Sequence, residues 1–583
     1  MNRLARLYET LRRLRPSQPA HRVVRRWKAR GGPPVVASAV WRGLAPLPAE
    51  SRRPLRAPFD RPLDAASPAR WSFAGAPAAL SGGDALVWER REATALERYH
   101  AAYGEVVRAL ADAGDLAGAL RWLRALTAVE AEPAHPYVRA RRVLALVEAR
   151  ARGLAAADPV LVADAAALAG SVELDVGGNH LLANAVALHR VGHAFGGPAA
   201  ARWADRGRTL VSACARGQVL DDGVHYERCP SYQGLVLEHF LTALETSASV
   251  GRAPPAGVED AARRLAVALE ELVLPDEALL RRGDGAPGLA LPTDALLAWA
   301  RRRTGPAPAA RRGTRIFPSA GLAILEDAST RSALSLVACA PSPRDLPAHG
   351  HADALAVEVV LGGRRVIASS GTAGYGSGPA RDADRRPGAF AGVLVGGRAP
   401  ADPYDAFRIG ARGWVRRLSR WDEDGVTSIE AYSDGFSTRG DPTIHRRVVA
   451  LTDGVAVVLD EWTGRGEATI DLAWPVGAGI AVTLDARGAR LSDGDASWRW
   501  WASEGVASLA PGHVAAELGV RIPRTVIWNR VEGARPRRVI HALAPGDAPL
   551  EAVLRAAPGG GLRVEVAHGA RRRVFHVMIG HAP

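Results

Sequence analysis

Cysteine is scarce in this 583-residue chain: Cys214, Cys229 and Cys339 are the only three. They are too few and too scattered for a disulfide framework and lack metal-ligand spacing, so they read as packing residues. Long apolar runs are missing as well. No window of about 18 consecutive apolar residues occurs, which argues against a transmembrane helix. The N-terminal MNRLARLYETLRRLRPSQPAHRVVRRWKAR is broken by charge throughout, leaving no apolar core for a secretory signal. That points to the cytoplasm, or to the periplasm or cell exterior if the start is misassigned. There is no P-loop, no serine-nucleophile elbow and no paired CxxC. The glycine-rich stretch from Gly374 to Gly378 is followed by no Lys-Ser/Thr pair and sits in no parallel strand–helix unit, which argues against a phosphate cradle.

Acidic residues are nearly absent from the first 30 positions, which carry ten Arg/Lys against Glu9 alone. This segment supplies +9 of the formal net charge of +14 and leaves +5 for the rest. Such an arm is suited to contact with nucleic acid or with an anionic membrane surface. The alternative is a solvated helical hairpin on the globule, because Leu4, Leu7, Leu11 and Leu14 repeat at helical spacing. Nearly every basic residue is Arg beside heavy Ala and Gly usage, a composition bias that weakens arguments from the isoelectric point.

The length exceeds what one core usually supports, so two or three domains are expected. From about Ala93 to Trp299, successive segments such as ATALERYHAAYGEVVRALADA, LANAVALHRVGHAF and GLVLEHFLTALETSA place apolar residues at i, i+3, i+4 intervals. No fixed repeat period is visible, which favours a helical toroid over a simple solenoid. The Pro/Arg-rich RRRTGPAPAARRG at 301–313 ends the helical pattern. Beyond it, β-branched runs turn at Gly362-Gly363 and Asp453-Gly454, the pattern of antiparallel hairpins. The expected architecture is multidomain α+β: a basic helical arm over 1–60, an (α/α) toroid over 61–310 and a C-terminal antiparallel β-sandwich over 311–583, with a cleft between the two large bodies.

Three segments carry chemistry. Asn179-His180 follows Gly177-Gly178 at a helix start, where Asn179 is either the N-cap or a ligand-binding group and His180 can meet an anion near the positive helix end. Tyr232 follows Pro230-Ser231 at another helix entrance, with His225 and Glu227 nearby. It is either a core-rim tyrosine or an acid/base whose pKa needs lowering to make a base. His349, His351 and Asp353 alternate in a segment entering a strand, and an extended chain would aim all three to one face. That is a metal site, an acid/base cluster or a hydrogen-bonded polar patch.

The runs GGNHLLANAVALHR and DDGVHYERCPSYQ (177–233) and HGHADALAVEVVLGGRRVIASSGT (349–372) together resemble the heparinase II/III family, over most of the chain. YETLRRLRPSQ resembles the N-terminal segment of members associated with bacterial surface polysaccharides, and HPYVRARR at 135–142 resembles their HPYP-type helix start. The resemblance implies the toroid and sandwich, and β-elimination on a uronic-acid-containing polysaccharide: loss of the C5 proton of the uronate and expulsion of the 4-O-linked sugar. By the same resemblance Asn179 and His180 would bind the uronate carboxylate, with His180 a base for one C5 epimer. Tyr232 would serve as base and acid, and His349 would assist from the sandwich side. Arg142, Glu227, Tyr375 and Arg381 are further candidates for substrate contact.

This chain departs from the resemblance at the metal. Family members usually carry Asp-x-Gly after the histidine pair and a later R-S-T-A-A-H-N-T-V-like segment. Here those ligand positions are Ser369 and Phe390, leaving His351 as the single presumptive ligand, so no metal or other cofactor is expected. Ala183 and Gln233 replace a Glu and a His that are frequent in the family. The expected partner is an acidic polysaccharide, with no nucleic acid. The alternatives are a glycan-binding or scaffold protein in surface-polysaccharide production, and a glycoside hydrolase, for which Asp221-Asp222 are the visible acidic pair although Asp222-Gly223 also reads as a turn.

Overall fold

The computed structural model describes residues 3–29, 39–51, 70–73, 76–80, 86–88, 95–128, 135–423, 425–486, 488–556 and 562–577. Within them the chain forms a helical body followed by a stack of antiparallel sheets, as the sequence pattern predicts. Two N-terminal helices, α1 (Arg3–Leu11) and α2 (Ser17–Ala29), are joined by a short turn, α1 packing on the Arg408–Arg412 strand and α2 on the Asp158–Ser171 helix. A small three-stranded meander at 70–88, not foreseen from the sequence, precedes the helical body.

The helical body runs through α3 (Ala95–Ala102), α4 (Glu105–Asp112), α5 (Leu116–Ala128), α6 (Pro136–Ala151), α7 (Asp158–Ser171), α8 (Gly178–Ala194), α9 (Pro198–Gln218), α10 (Pro230–Ser249), α11 (Val258–Glu271) and α12 (Thr293–Thr304). Helices α4, α6, α8, α10 and α12 pack successively on one another, while α5, α7, α9 and α11 each back onto the helix before them. This is the double-layered arrangement of an (α/α) toroid. The inner helices α8 and α10 bury nearly every residue, whereas α9 and α11 keep one solvated face. An inner helix surrounded by others has no polar side to present, so its apolar periodicity is weak.

The second body begins at the Arg315–Phe317 strand, beyond the Pro/Arg-rich link. Both expected hairpins are present: Leu361 pairs with Arg364 across Gly362-Gly363, and Thr452 pairs with Val455 across Asp453-Gly454. An eight-stranded antiparallel sheet lies between smaller sheets. One of its faces contributes Val449, Val458 and Trp500 to a core with Leu334, Leu336 and Val357. Its other face packs Val448, Val457 and Ile540 on Leu550, Val564 and Val566 of the C-terminal three-stranded sheet. Strands covered on both faces read as continuous apolar runs, which explains VVALT and VAVVL.

The two bodies share apolar packing. Val224, Ala268 and Leu272 of the helical body sit in one cluster with Phe317, Leu322, Val337 and Val360 of the sandwich. The long connection between α11 and α12 runs beneath the sandwich, where Arg365 clasps Asp276 through two nitrogens at 2.7 and 2.9 Å. Residues from both bodies can therefore be held at fixed separations.

Candidate active site

The helical side of the site is built where α8 begins. Gly177 and Gly178 both take positive φ, 76° and 56°. A Cβ on Gly178 would lie 2.4 Å from Glu227 Oε1 and 2.7 Å from the Leu346 side chain, so only glycine lets that carboxylate settle on the helix end. There Glu227 Oε1 accepts from the backbone N–H of Asn179 at 3.0 Å. Asn179 is thus not the N-cap: Gly177 precedes the helix, and a carboxylate from a distant loop takes up a first-turn N–H. Asn179 lies within the first turn and is buried.

His180 is held by a residue that the sequence reading passed over. Its Nδ1 lies 3.2 Å from Glu173 Oε1, and its ring stacks on Tyr137 with centroids 4.3 Å apart. Glu173 is itself fixed by Asn184, which donates from Nδ2 to Oε2 at 3.3 Å and accepts the Glu173 backbone N–H at 2.9 Å. Burial opposes protonation of His180, but the Glu173 carboxylate outweighs it and raises the imidazole pKa. Burial likewise acts to raise the Glu173 pKa, and His180, with His135 and Arg25, brings it below the usual range. With Nδ1 engaged, Nε2 is the nitrogen left for a ligand.

Tyr232 is the third residue of α10, at the helix entrance as expected. Its ring stacks on His349, centroids 4.0 Å apart and planes inclined by 29°, and its hydroxyl shares a 2.5 Å hydrogen bond with that of Tyr375. Burial, reinforced by Tyr375 and Asp284, pushes the Tyr232 pKa well above that of a free phenol. The Tyr375 phenol is raised in the same way, with burial first and Asp284 second.

Asp284 joins the two bodies at this point. It sits in the α11–α12 connection, and its Oδ2 is 3.0 Å from His349 Nδ1 while Oδ1 is 2.8 Å from His351 Nε2. Arg381, on the short helix α13 (Pro379–Asp384), donates to both oxygens at 2.5 and 2.8 Å. Burial raises the Asp284 pKa, but Arg381 and the two imidazoles reverse this and hold it well below the usual carboxylate range. Glu227 completes the link across the site, its Oε2 lying 3.6 Å from His349 Nε2. That oxygen is buried and has no hydrogen-bond partner among the described residues.

The other predicted residues separate. Glu227 and Tyr375 belong to the site. Arg381 meets it through Asp284 and from above the Tyr375 ring, 5.5 Å from the centroid, and is almost wholly buried, which makes it a positioning residue. Arg142 is spent elsewhere: its guanidinium is bidentate to Asp164 at 2.6 and 2.8 Å, both side chains buried, because a buried cation must find its carboxylate. Segment 349–356 is not extended, so the expected one-face alternation fails. His349 and His351 converge on Asp284, while Asp353 pairs with Arg282 at 3.5 Å. Asp222 accepts the backbone N–H groups of Val224 and Ala320, a turn role that leaves no Asp221-Asp222 glycosidase pair. Gln233, buried, accepts from the His225 backbone N–H and donates to the Leu265 carbonyl.

His351, Ser369 and Phe390, the positions where the resemblance would place metal ligands, do not form a metal donor set. His351 Nε2 is engaged by Asp284, Ser369 offers its backbone N–H to Glu358 at 2.7 Å, and Phe390 presents a hydrocarbon ring. A guanidinium laces the same two segments: Arg524 donates to the carbonyls of Ala368 and Ala389 and to Ser370 Oγ. Among the described residues, His135, Glu173 and His180 alone bring three potential donor atoms within 4.8 Å of one another. The His180–Glu173–Asn184 hydrogen bonds make Glu173 an orienting carboxylate there.

Comparison with known proteins agrees with this architecture. Residues 171–289 match the heparinase II/III N-terminus and residues 309–555 the heparinase II/III-like C-terminal domain. Among solved structures the chain is similar to heparinase III, with 16% identity, 86% of each chain covered and a TM-score of 0.69. It is also similar to heparan sulfate lyase HepC from Pedobacter heparinus, with 15% identity, 97% of this chain and 94% of that chain covered and a TM-score of 0.59. A sequence comparison with curated proteins gives no match.

Proposed function

Since the chain belongs to the heparinase II/III-like proteins, we propose that it is a polysaccharide lyase that cleaves a uronic-acid-containing polysaccharide by β-elimination. The observation that carries this reading is the meeting of Tyr232 from the helical body with His349 from the sandwich, ring on ring, beside a helix start bearing Asn179 and His180. β-Elimination needs a neutralised carboxylate, a base at C5 and an acid at the leaving oxygen. Asn179 and the Glu173-backed His180 supply the carboxylate pocket, a raised imidazole pKa favouring the cation that an anionic group requires. Tyr232, as the phenolate, takes the proton from C5 and returns it to the leaving O4, with Tyr375 at hydrogen-bond distance as its relay. His349, fixed through Nδ1 by Asp284, turns Nε2 toward Glu227 while its ring stacks on Tyr232 and braces the phenol. No metal enters this scheme; the donor set at Ser369 and Phe390 favours the Arg524 cross-link in its place.

The test is ultraviolet absorbance of the unsaturated uronate product during incubation with a panel of uronate-containing polysaccharides, using the natural chain and its Tyr232→Phe and His349→Ala variants. The expected result is an absorbance rise that both substitutions abolish. Binding of the polymers with no rise, unchanged in the variants, would replace the lyase by a glycan-binding protein of surface-polysaccharide production. New reducing ends without the absorbance would indicate hydrolysis.

A further inference from the structure

The N-terminal hairpin is mounted the wrong way round for an ordinary amphipathic cover. Helix α1 turns its polar residues to the protein: Arg6 is bidentate to Asp402, Thr10 bonds the Tyr404 hydroxyl, and Arg13 donates to the Gly410 carbonyl. Helix α2 does the same, with Gln18 donating to the carbonyls of Asp175 and Asp345 and Arg25 bidentate to Asp175. The apolar residues are left outside. Leu4, Leu7, Tyr8 and Leu11, at the i, i+3, i+4, i+7 spacing of one helix face, are 77%, 40%, 65% and 53% exposed. On α2, Val23, Val24 and Trp27 are 68%, 47% and 70% exposed. These seven are half of the large apolar side chains that the described structure exposes, gathered into 24 residues.

We propose that this outer face of the α1–α2 hairpin docks on an anionic lipid bilayer. The charge around the face selects that occupant. Arg3, Arg12, Arg15, Arg22 and Arg26 are exposed beside the apolar residues, and the single acid of the hairpin, Glu9, is taken up by Arg12 and Arg13. A face of leucine, valine, tyrosine and tryptophan rimmed by arginine matches the acyl boundary and headgroup layer of a bilayer bearing negative lipids. A second protein of ordinary surface would meet an unopposed positive rim, and nucleic acid would leave the leucines in water. The anchors place the hairpin beside the candidate active site. Arg15 pairs with Asp345, next to the Leu346 that lies against Gly178, and Asp175 stands two residues before the Gly177-Gly178 turn. Docking would hold the candidate active site near the membrane surface, with the polar anchors buried beneath the hairpin. The surface is separate from the reaction, and its failure would leave the lyase reading untouched.

The experiment is flotation of the full chain with vesicles of phosphatidylcholine alone and of phosphatidylcholine mixed with phosphatidylglycerol, at low and high salt. Leu7→Asp/Trp27→Asp and Arg3→Glu/Arg26→Glu are compared with the natural chain, and circular dichroism checks their folding. The expected result is binding to the mixed vesicles alone, weakened about tenfold or more by high salt and by either double substitution. Absence of flotation by the natural chain with mixed vesicles overturns the proposal, whatever the variants do. So does undiminished flotation of folded Leu7→Asp/Trp27→Asp, a concentration-dependent dimer in light scattering that this variant abolishes, or tighter binding to duplex DNA than to the vesicles.

Discussion

Replacing Asp284 by Asn would leave the Arg381 guanidinium buried without its counter-charge. The side chains of Arg381 and Asp284 are 1% and 0% exposed, and the pair forms two charge-assisted hydrogen bonds at 2.5 and 2.8 Å. Removing one partner of such a pair costs about 3–5 kcal/mol, chiefly through the uncompensated charge that remains. The amide can still meet His349 and His351, so the loss should be electrostatic rather than a void. Urea unfolding followed by tryptophan fluorescence would measure it, the midpoint falling at similar slope. Arg381→Met in the same background removes the orphaned cation, so the double variant should be more stable than Asp284→Asn alone. The sign with pH also follows. Because the folded-state pKa of Asp284 is depressed, its stabilisation is complete above the ordinary aspartate value of about 3.9 and is lost as pH falls through that range toward the folded value. Asp284→Asn should flatten this acid limb. A loss below about 1 kcal/mol, or a double variant no better than the single one, would refute the claim that this cluster clamps the two bodies.

Three further outcomes follow from the site. Glu173→Gln should lower the His180 pKa, seen by NMR titration of the imidazole, and reduce turnover by about tenfold to a hundredfold with the fold intact; an unmoved titration would contradict the orienting role. Because burial and Asp284 hold Tyr232 protonated, the fraction able to accept the C5 proton grows with pH, so product formation should climb into the alkaline range until stability fails. A maximum in acid solution would assign the base elsewhere. Dialysis against a chelator should change neither the unfolding midpoint nor the rate, since the sandwich donors at Ser369 and Phe390 do not fit a metal; loss restored by a divalent cation would reverse that conclusion.

What could be read from the sequence was what is local in it. Asn179-His180, Tyr232 and His349 each stand beside a helix start or a turn with its own glycine or proline signal, and the structure brings them into one neighbourhood. Arg142 misled because its carboxylate, Asp164, lies on the following helix and nothing in HPYVRARR announces it. The leucines of α1 misled in the opposite sense, since helical spacing reports an apolar face and not which way that face is turned. Asp284 was invisible for a deeper reason. Its partners are an imidazole pair some 65 positions onward and an arginine beyond them, all in the other body, so no periodicity or spacing near it encodes the contact. The residual trace is its setting, Gly283-Asp284-Gly285, which reads as a turn. A Cβ on Gly283 would come within 2.4 Å of the His349 carbonyl oxygen, and one on Gly371 within 1.8 Å of the Gly285 carbonyl oxygen. These glycines let the backbones of the two bodies touch around an aspartate, which is how a charge from the helical half comes to orient a histidine of the sandwich.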